Sequence, residues 1–227
     1  VKAIVLAGGL GTRLGELTRQ KPKPLVDVAG RPFIEYVLAQ LLLSPVDEIV
    51  FAVSHCWEQV HQLIGDEWHG VPVRYSVETE PLGTGGAIKQ AMHQFNIDKA
   101  VVLNGDTLFK ILPASLETFH NQHHADISVA LRHVDDTGRY GRVLVDPMFR
   151  ITGFLEKGIN GPGLINAGVY CLNRSVLDDI EDIKFSFELD VLATYLEACK
   201  IFGMPCEGYF IDIGVPEDLD KAQTDLL

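Results

Sequence analysis

A glycine-rich turn at the end of the first apolar run constrains this chain more than any other feature. Val1-Lys2-Ala3-Ile4-Val5-Leu6 has the length and apolar content of a short buried strand. It opens directly into Ala7-Gly8-Gly9-Leu10-Gly11-Thr12-Arg13-Leu14. Glycines at 8, 9 and 11 let bare backbone N–H groups curl around an anion. Arg13 adds fixed positive charge, and Lys23, in Lys21-Pro22-Lys23-Pro24-Leu25, adds more to the same place. The pattern suits a polyphosphate that is attacked and not merely held.

Two commoner phosphate loops do not fit. A dinucleotide fingerprint needs a further glycine where this chain has Leu14, and a Walker A loop needs Gly-Lys-Ser/Thr, which is absent here. A plain glycine connector between strand and loop accounts for Gly8 and Gly9 alone. It leaves Thr12-Arg13-Leu14 and the Lys-Pro-Lys-Pro-Leu segment without a purpose.

Charge points the same way. The 227-residue chain carries a formal net charge of −12, which argues against nucleic acid as a partner. Lys2, Arg13, Arg19, Lys21, Lys23 and Arg31 nevertheless sit in the first 31 residues against only Glu16 and Asp27. An acidic protein that gathers its positive charge around a glycine loop is built to bind an anion there. At 47% hydrophobic the chain can build a sizeable core, and it has no apolar run long enough for a membrane span. The first residues enter a strand at once, so no signal peptide is expected. Cys56, Cys171, Cys199 and Cys206 show no Cys-x-x-Cys spacing and read as reduced thiols of a cytoplasmic protein.

Apolar β-branched runs at 46–53, 71–77 and 100–103 alternate with helical patterns at 32–43, 57–64 and 84–95. Such alternation predicts a parallel sheet covered on both faces, with ligands beyond the carboxyl ends of the strands. A helix is predicted over 113–124. Strands then follow in succession at 127–131, 141–145, 151–155 and 164–172, an antiparallel insertion that extends the sheet. Helices are predicted again over 186–199 and 216–226, with a strand at 206–211 between them. No linker divides the chain, so a single domain is expected over 1–227. Residues 1–112 would mainly form the nucleotide part, and 126–172 the sugar-binding insertion.

Asn104-Gly105-Asp106 follows a buried strand directly, and Phe210-Ile211-Asp212-Ile213-Gly214 repeats the arrangement. An aspartate at a strand end can close a turn or cap a helix. Two such aspartates can instead converge on one hard cation such as Mg²⁺, as triphosphate chemistry requires. Glu80-Pro81-Leu82-Gly83-Thr84-Gly85-Gly86-Ala87 is a second glycine-rich turn, whose small residues admit a flat nucleobase. The Glu80 carboxylate accepts only, which matches the adjacent N1–H and N2–H₂ donors of guanine better than the edge of uracil or thymine. Glu78 could fill the same role. Tyr140-Gly141, Glu156-Lys157-Gly158 and Asn166-Ala167-Gly168 lie on the insertion and offer groups suited to sugar hydroxyls and a phosphate. His120, His123 and His124 cluster near a helix end and read as structural.

Taken in order, these motifs resemble the sugar-1-phosphate nucleotidyltransferases over the whole chain, and within them the guanylyltransferases acting on a manno-configured heptose 1-phosphate, with mannose-1-phosphate guanylyltransferases next. The resemblance implies a Rossmann-like α/β three-layer sandwich of the glycosyltransferase-A type, with a mixed, mostly parallel sheet. It implies nucleotidyl transfer from an NTP, GTP first, to a sugar 1-phosphate, with Mg²⁺ as cofactor. Leu6, Ala7, Gly8, Gly9, Gly11, Thr12 and Arg13 would hold the nucleotide. Lys23 would bridge to the α-phosphate or the incoming phosphate, and Asp106 and Asp212 would hold the metal. Glu80 and Gly85 would contact the base, and Gly141, Glu156, Lys157 and Asn166 would frame the sugar phosphate. Neither nucleic acid nor membrane is an expected partner, and a homo-oligomer is compatible with the pattern. A glycosyltransferase would leave the Gly-Thr-Arg-Leu signature unexplained. A silent nucleotide-sugar sensor would have no need of Arg13, Lys23, Asp106 and Asp212 together.

Overall fold

The computed structural model describes residues 1–9, 22–54 and 57–227. Residues 10–21, with Gly11, Thr12 and Arg13, lie outside the described residues, as do His55 and Cys56. The chain begins with β1 (Lys2–Leu6). A single 3₁₀ turn at Lys23–Leu25 leads to the small pair β2 (Asp27–Val28) and β3 (Arg31–Pro32) and then to α1 (Phe33–Leu41). There follow β4 (Glu48–Val53), α2 (Trp57–Ile64), β5 (Glu67–Trp68), β6 (Val71–Val77), α3 (Gly83–Gln94), β7 (Lys99–Asn104) and β8 (Thr107–Phe109). The second half holds α4 (Pro113–Gln122), β9 (Ile127–Val134), β10 (Arg142–Val145), β11 (Ile151–Leu155), β12 (Gly163–Asn173) and α5 (Ser175–Asp178). A π-helical turn at Phe187–Leu192, β13 (Ile201–Cys206), β14 (Phe210–Asp212) and α6 (Pro216–Asp225) complete it.

The centre is a parallel array in the order β6-β4-β1-β7, which makes the molecule an α/β sandwich. The inner strands β4, β1 and β7 are buried on both faces. Ala3 and Val5 of β1 pack into one apolar layer with α1, α2, α4 and α6, while Ile4 between them packs into the opposite layer with α3, α5 and the π-turn. That alternation is the period-2 geometry of a strand with apolar residues on both sides. β12 runs antiparallel to β7 and carries β9 along its other edge, with β10 and β11 beyond its first residues. The antiparallel insertion expected from sequence is thus one continuous extension of the sheet. Among the described residues no helix is long and apolar enough to cross a membrane.

Two expected elements differ. The helix expected over 186–199 is only the π-turn, in which Ala193 N–H reaches Glu188 O five residues back at 3.2 Å. Phe187, Val191 and Leu192 bury their side chains within that turn, and the chain must then double back to lay β13 beside β9. The strand expected at 206–211 is instead two, β13 and β14, separated by Glu207-Gly208-Tyr209. β13 contains Gly203 and Pro205, residues unfavourable inside a strand. Among the described residues β13 pairs along its length with β9, and its other edge carries just the isolated bridge of Phe202 to Arg150, so Pro205 sits on an open edge where its missing N–H is tolerated. Gly203 is required there, because a Cβ would fall 2.3 Å from the Leu131 side chain.

His120 of α4 is buried and ties three elements together. Its Nδ1 meets Ser128 Oγ of β9 at 3.1 Å, and its Nε2 meets Asn173 Oδ1 of β12 at 3.3 Å. Asn173 Nδ2 donates to Ala125 O at 3.0 Å, which fixes Oδ1 as the atom facing His120. The ring therefore donates Nε2–H to Asn173 and turns Nδ1 toward the Ser128 hydroxyl. Burial pushes its pKa below the ordinary histidine value. The unfolded chain then binds a proton that the folded chain refuses. Stability is fully present above the unfolded value of about 6.5 and is lost as pH falls toward the folded value. Melting temperature should drop as pH is lowered from 7 through this range, and His120→Gln should flatten the slope. Parallel melting curves for the two proteins across those pH values would exclude His120 as the titrating group.

Candidate active site

A cavity of about 440 Å³ opens beyond the carboxyl ends of β1, β4 and β7. After β1 the chain adds strands on one side, β4 and then β6, and later returns to place β7 on the other. The cavity lies at this reversal, where crevices form in open α/β sheets. Leu6, Ala7, Gly8 and Gly9 line it from the end of β1, Lys23 and Pro24 from the 3₁₀ turn, and Asn104 and Asp106 from the end of β7. Glu78 and Pro81 come from the segment after β6, and Gly83, Thr84 and Ala87 from the start of α3. The positive end of the α3 dipole thus faces the cavity, a favourable place for an anion.

Gly105 and Gly8 make close contacts here. Gly105 N–H donates to Leu6 O at 2.8 Å, and a Cβ at 105 would lie 2.7 Å from the same oxygen. Only glycine lets β7 turn out of the sheet against the end of β1. A Cβ on Gly8 would lie 2.8 Å from Glu78 Oε1, so its absence brings the loop backbone against that carboxylate.

The charged centre is Lys23 with Asp106 and Asp212. Lys23 Nζ meets Asp106 Oδ2 at 2.5 Å. β14 pairs antiparallel with β8, setting Asp212 opposite Thr107, and Ile213 N–H donates to Asp106 O at 3.0 Å. The two aspartates, 106 residues apart in sequence, therefore stand side by side. A Cβ on Gly214 would fall 2.8 Å from Asp212 Oδ1 and 3.2 Å from Lys23 Nζ, which places the ammonium beside the second carboxylate too. Burial, and then the Asp106 charge, push the Asp212 carboxyl up; Lys23, the Gly214 N–H and Arg139 oppose them. Two hard oxygen donors that already attract one cation suit a divalent ion. Among the described residues no third His, Cys, Asp or Glu joins them, so phosphate oxygens and water would complete the shell, as Mg²⁺ prefers.

The other residues singled out from sequence are placed as follows. Glu80 is exposed and does not line the cavity, whereas Glu78 does. Glu78 Oε2 accepts from Leu82 N–H at 2.9 Å, and burial raises its pKa. Gly85 lies away from the cavity: its N–H donates to Phe185 O at 3.0 Å, and a Cβ would overlap the Phe185 ring. Its smallness serves the packing of α3 on the 185–187 segment. Gly141 (φ +84°) lies against Leu155 O, and Gly158 N–H donates to Gly138 O at 2.6 Å, so the turns carrying Gly141 and the exposed Glu156 and Lys157 are knitted together. Asn166 sits at a bulge in β12 where its register with β9 shifts. Gly168 (φ +71°) allows that bulge, since a Cβ there would lie 2.7 Å from Asn104 Nδ2. Thr84 of the second glycine-rich turn forms a polar network beside these residues with Tyr170 and Glu188, neither of which the sequence singled out. Gly11, Thr12 and Arg13 fall outside the described residues.

The whole length of the chain carries this arrangement. Residues 2–227 match the model of the nucleotidyl transferase family, and the chain belongs to that family. It is similar to the D-glycero-α-D-manno-heptose 1-phosphate guanylyltransferase of Aneurinibacillus thermoaerophilus, with 37% identity over 100% of this chain and 98% of the relative. The enzyme of the same description from Campylobacter jejuni is 40% identical over 96% of each chain. Among solved structures, HddC from Yersinia pseudotuberculosis complexed with GMP-PN superposes with a TM-score of 0.84 at 36% identity, covering 100% of this chain and 99% of that one.

The contact between β1 and β7 is open to test. Gly105→Ala should cost about 1–3 kcal/mol in urea denaturation, because the added methyl must push backbone apart. Its loss of nucleotide affinity should exceed what the unfolded fraction explains, since Asp106 moves with the turn. An unaltered midpoint would mean that the strand ends separate freely.

Proposed function

We propose that this chain transfers the guanylyl group of GTP to D-glycero-α-D-manno-heptose 1-phosphate, giving GDP-heptose and pyrophosphate, in the cytoplasm. The observation that carries the reading is end-to-end similarity at 37% and 40% to two guanylyltransferases of that specificity. The cavity of anion-binding groups at the sheet reversal supports it. The sugar phosphate is already an anion near neutral pH, since the second pKa of a phosphomonoester is about 6, so no protein base is needed. Catalysis then reduces to alignment and charge neutralisation at the α-phosphorus.

In this reading Gly8, Gly9 and Gly11, with Thr12 and Arg13, hold the β- and γ-phosphates. Lys23 leaves Asp106 for the α-phosphate or the incoming phosphate. Asp106 and Asp212 hold Mg²⁺, which supplies charge neutralisation at the phosphates when bound. Residues 1–112 serve mainly the nucleotide. Gly141, Glu156, Lys157 and Asn166, in the 126–172 insertion, serve the sugar phosphate. Glu78 takes first place as the reader of guanine: Leu82 holds one of its oxygens, and the other faces the loop backbone. Glu80 is the second candidate.

Pyrophosphate release from a matrix of nucleoside triphosphates and sugar 1-phosphates tests the assignment. GTP with the manno-heptose 1-phosphate should give the highest kcat/KM. Mannose 1-phosphate should be a weaker substrate, because discrimination by one extra hydroxymethyl group is modest. Preference for UTP or dTTP would sink the guanine assignment. Glu78→Gln should narrow the preference for GTP over ITP, which lacks the N2 amine, and a response only in Glu80→Gln would move the reading there.

The metal assignment has its own test. Asp106→Asn and Asp212→Asn should each lower kcat at least about a hundredfold at saturating Mg²⁺ while the fold persists. Turnover near the wild-type rate in either variant would remove that residue from the metal site.

A further inference from the structure

Asn166 is held by more than its own strand. Its Oδ1 accepts from Gly168 N–H at 2.9 Å, and its Nδ2 donates to Tyr170 OH at 3.0 Å. The Tyr170 phenol is fully buried and hydrogen-bonds onward to Glu188 Oε1 at 3.3 Å. The other oxygen, Glu188 Oε2, accepts from Thr84 Oγ at 2.6 Å and from Ser186 Oγ at 3.1 Å. Thr84 in turn lines the cavity and accepts from Phe187 N–H at 2.9 Å.

Glu188 sets the direction of every bond in this relay. A carboxylate only accepts, so Tyr170 must point its hydrogen at Glu188. The phenol oxygen then offers only lone pairs to Asn166, and Asn166 must present its amino group and not its carbonyl. The Gly168 N–H on Oδ1 and the phenol lone pair on Nδ2 together lock the Asn166 amide against a flip, with one N–H and one lone pair left over. A donor beside an acceptor is the complement of a pair of sugar hydroxyls. The π-turn delivers the carboxylate to this place. Ser186 Oγ caps Leu189 N–H, Asp190 Oδ2 accepts from Ser186 N–H, and Phe187 anchors the turn in the core.

The geometry points to Glu188 as a positioning residue of the sugar subsite: acting through Tyr170, it fixes the orientation in which Asn166 meets the sugar hydroxyls, and through Thr84 it ties that subsite to the nucleotide wall. This rests on the placement of Asn166 at the sugar proposed above. Glu188 itself touches neither substrate in this account.

The test pairs kinetics with a signal independent of turnover. Glu188→Gln should raise the KM for the sugar 1-phosphate about tenfold, the effect of one lost hydrogen bond, with kcat and the KM for GTP within about threefold of wild type. Tyr170→Phe cuts the relay with Glu188 intact and should show the same split; it carries the comparison if Glu188→Gln fails to fold. Because Glu188 acts through Asn166, Glu188→Gln in an Asn166→Ala background should add less than about twofold. Full multiplication of the two effects would overturn the proposal. The side-chain amide resonances of Asn166, assigned by their loss in Asn166→Ala, should shift and exchange faster in Glu188→Gln. Unchanged resonances would overturn it as well. A wild-type protein inactive with GTP and every sugar phosphate tried would instead refute the proposed function, and the amide signal would still decide whether the relay exists.

Discussion

Everything at the sheet's carboxyl edge turns on the contact of Lys23 with Asp106 beside Asp212. Two carboxylates placed side by side and partly removed from water repel each other. The raised pKa of Asp212 records that conflict. A cation resolves it, and Lys23 supplies one at 2.5 Å from Asp106. Such a pair contributes little to net stability once the desolvation of both partners is counted. Its value lies in readiness: a site that binds one cation when empty accepts a divalent ion and a polyphosphate by exchange, without creating an unpaired charge at any stage.

The rest of the fold can be understood as the means of building that site. The aspartates come from the middle and the far end of the chain, so the C-terminal segment must return across the molecule and pair β14 with β8. α6 then closes the return, with Ala222 and Leu219 in the same apolar layer as α1. Gly105 and Gly214 each stand where a side chain would strike backbone or charge, and both adjoin an aspartate. The bulge at Asn166 on β12 performs the corresponding task for the insertion, since it turns one amide out of a strand that otherwise pairs on both edges.

The parallel core and the charged centre were legible in the sequence because local pattern and final environment agree there. β1, β4 and β7 are apolar runs buried on both faces, and Lys23, Asp106 and Asp212 lie in short segments whose glycines and prolines announce a turn. The π-turn was not legible. The apolar spacing of Phe187, Val191 and Leu192 reads as an ordinary helix, and tertiary packing decides that it stops after Leu192. β13 was hidden by Gly203 and Pro205, whose reasons for being tolerated lie in a neighbouring side chain and an edge position, neither of which is local. The choice between Glu78 and Glu80 depends on which way the chain faces as it leaves β6. Two residues of separation put both on the same side of an ideal strand, but the chain bends after Val77, leaving Glu78 inward and Glu80 in solvent. Gly85 shows the same limit. A glycine is required there, but by Phe185 and not by a ligand.

The acidity of the chain and its anionic substrates are compatible for the same reason. Outside the first 31 residues the charge is strongly negative, and that field would repel a polyphosphate approaching most of the surface. Favourable potential is offered at the cavity, where the positive end of α3 and Lys23 meet. The long-range part of this discrimination is screened by salt over about 8–10 Å, so it governs encounter and not final affinity. In the function proposed above, affinity comes from groups whose directions are already set: backbone N–H groups freed by glycine, a carboxylate oxygen of Glu78 whose partner oxygen is occupied, and an Asn166 amide held at both ends. Each is a polar group whose other bonding capacity has been used by the protein, so that what remains faces one way. Preorganisation of this kind lowers the entropy a ligand must surrender on binding, and it penalises any ligand that leaves the remaining donor or acceptor unpaired.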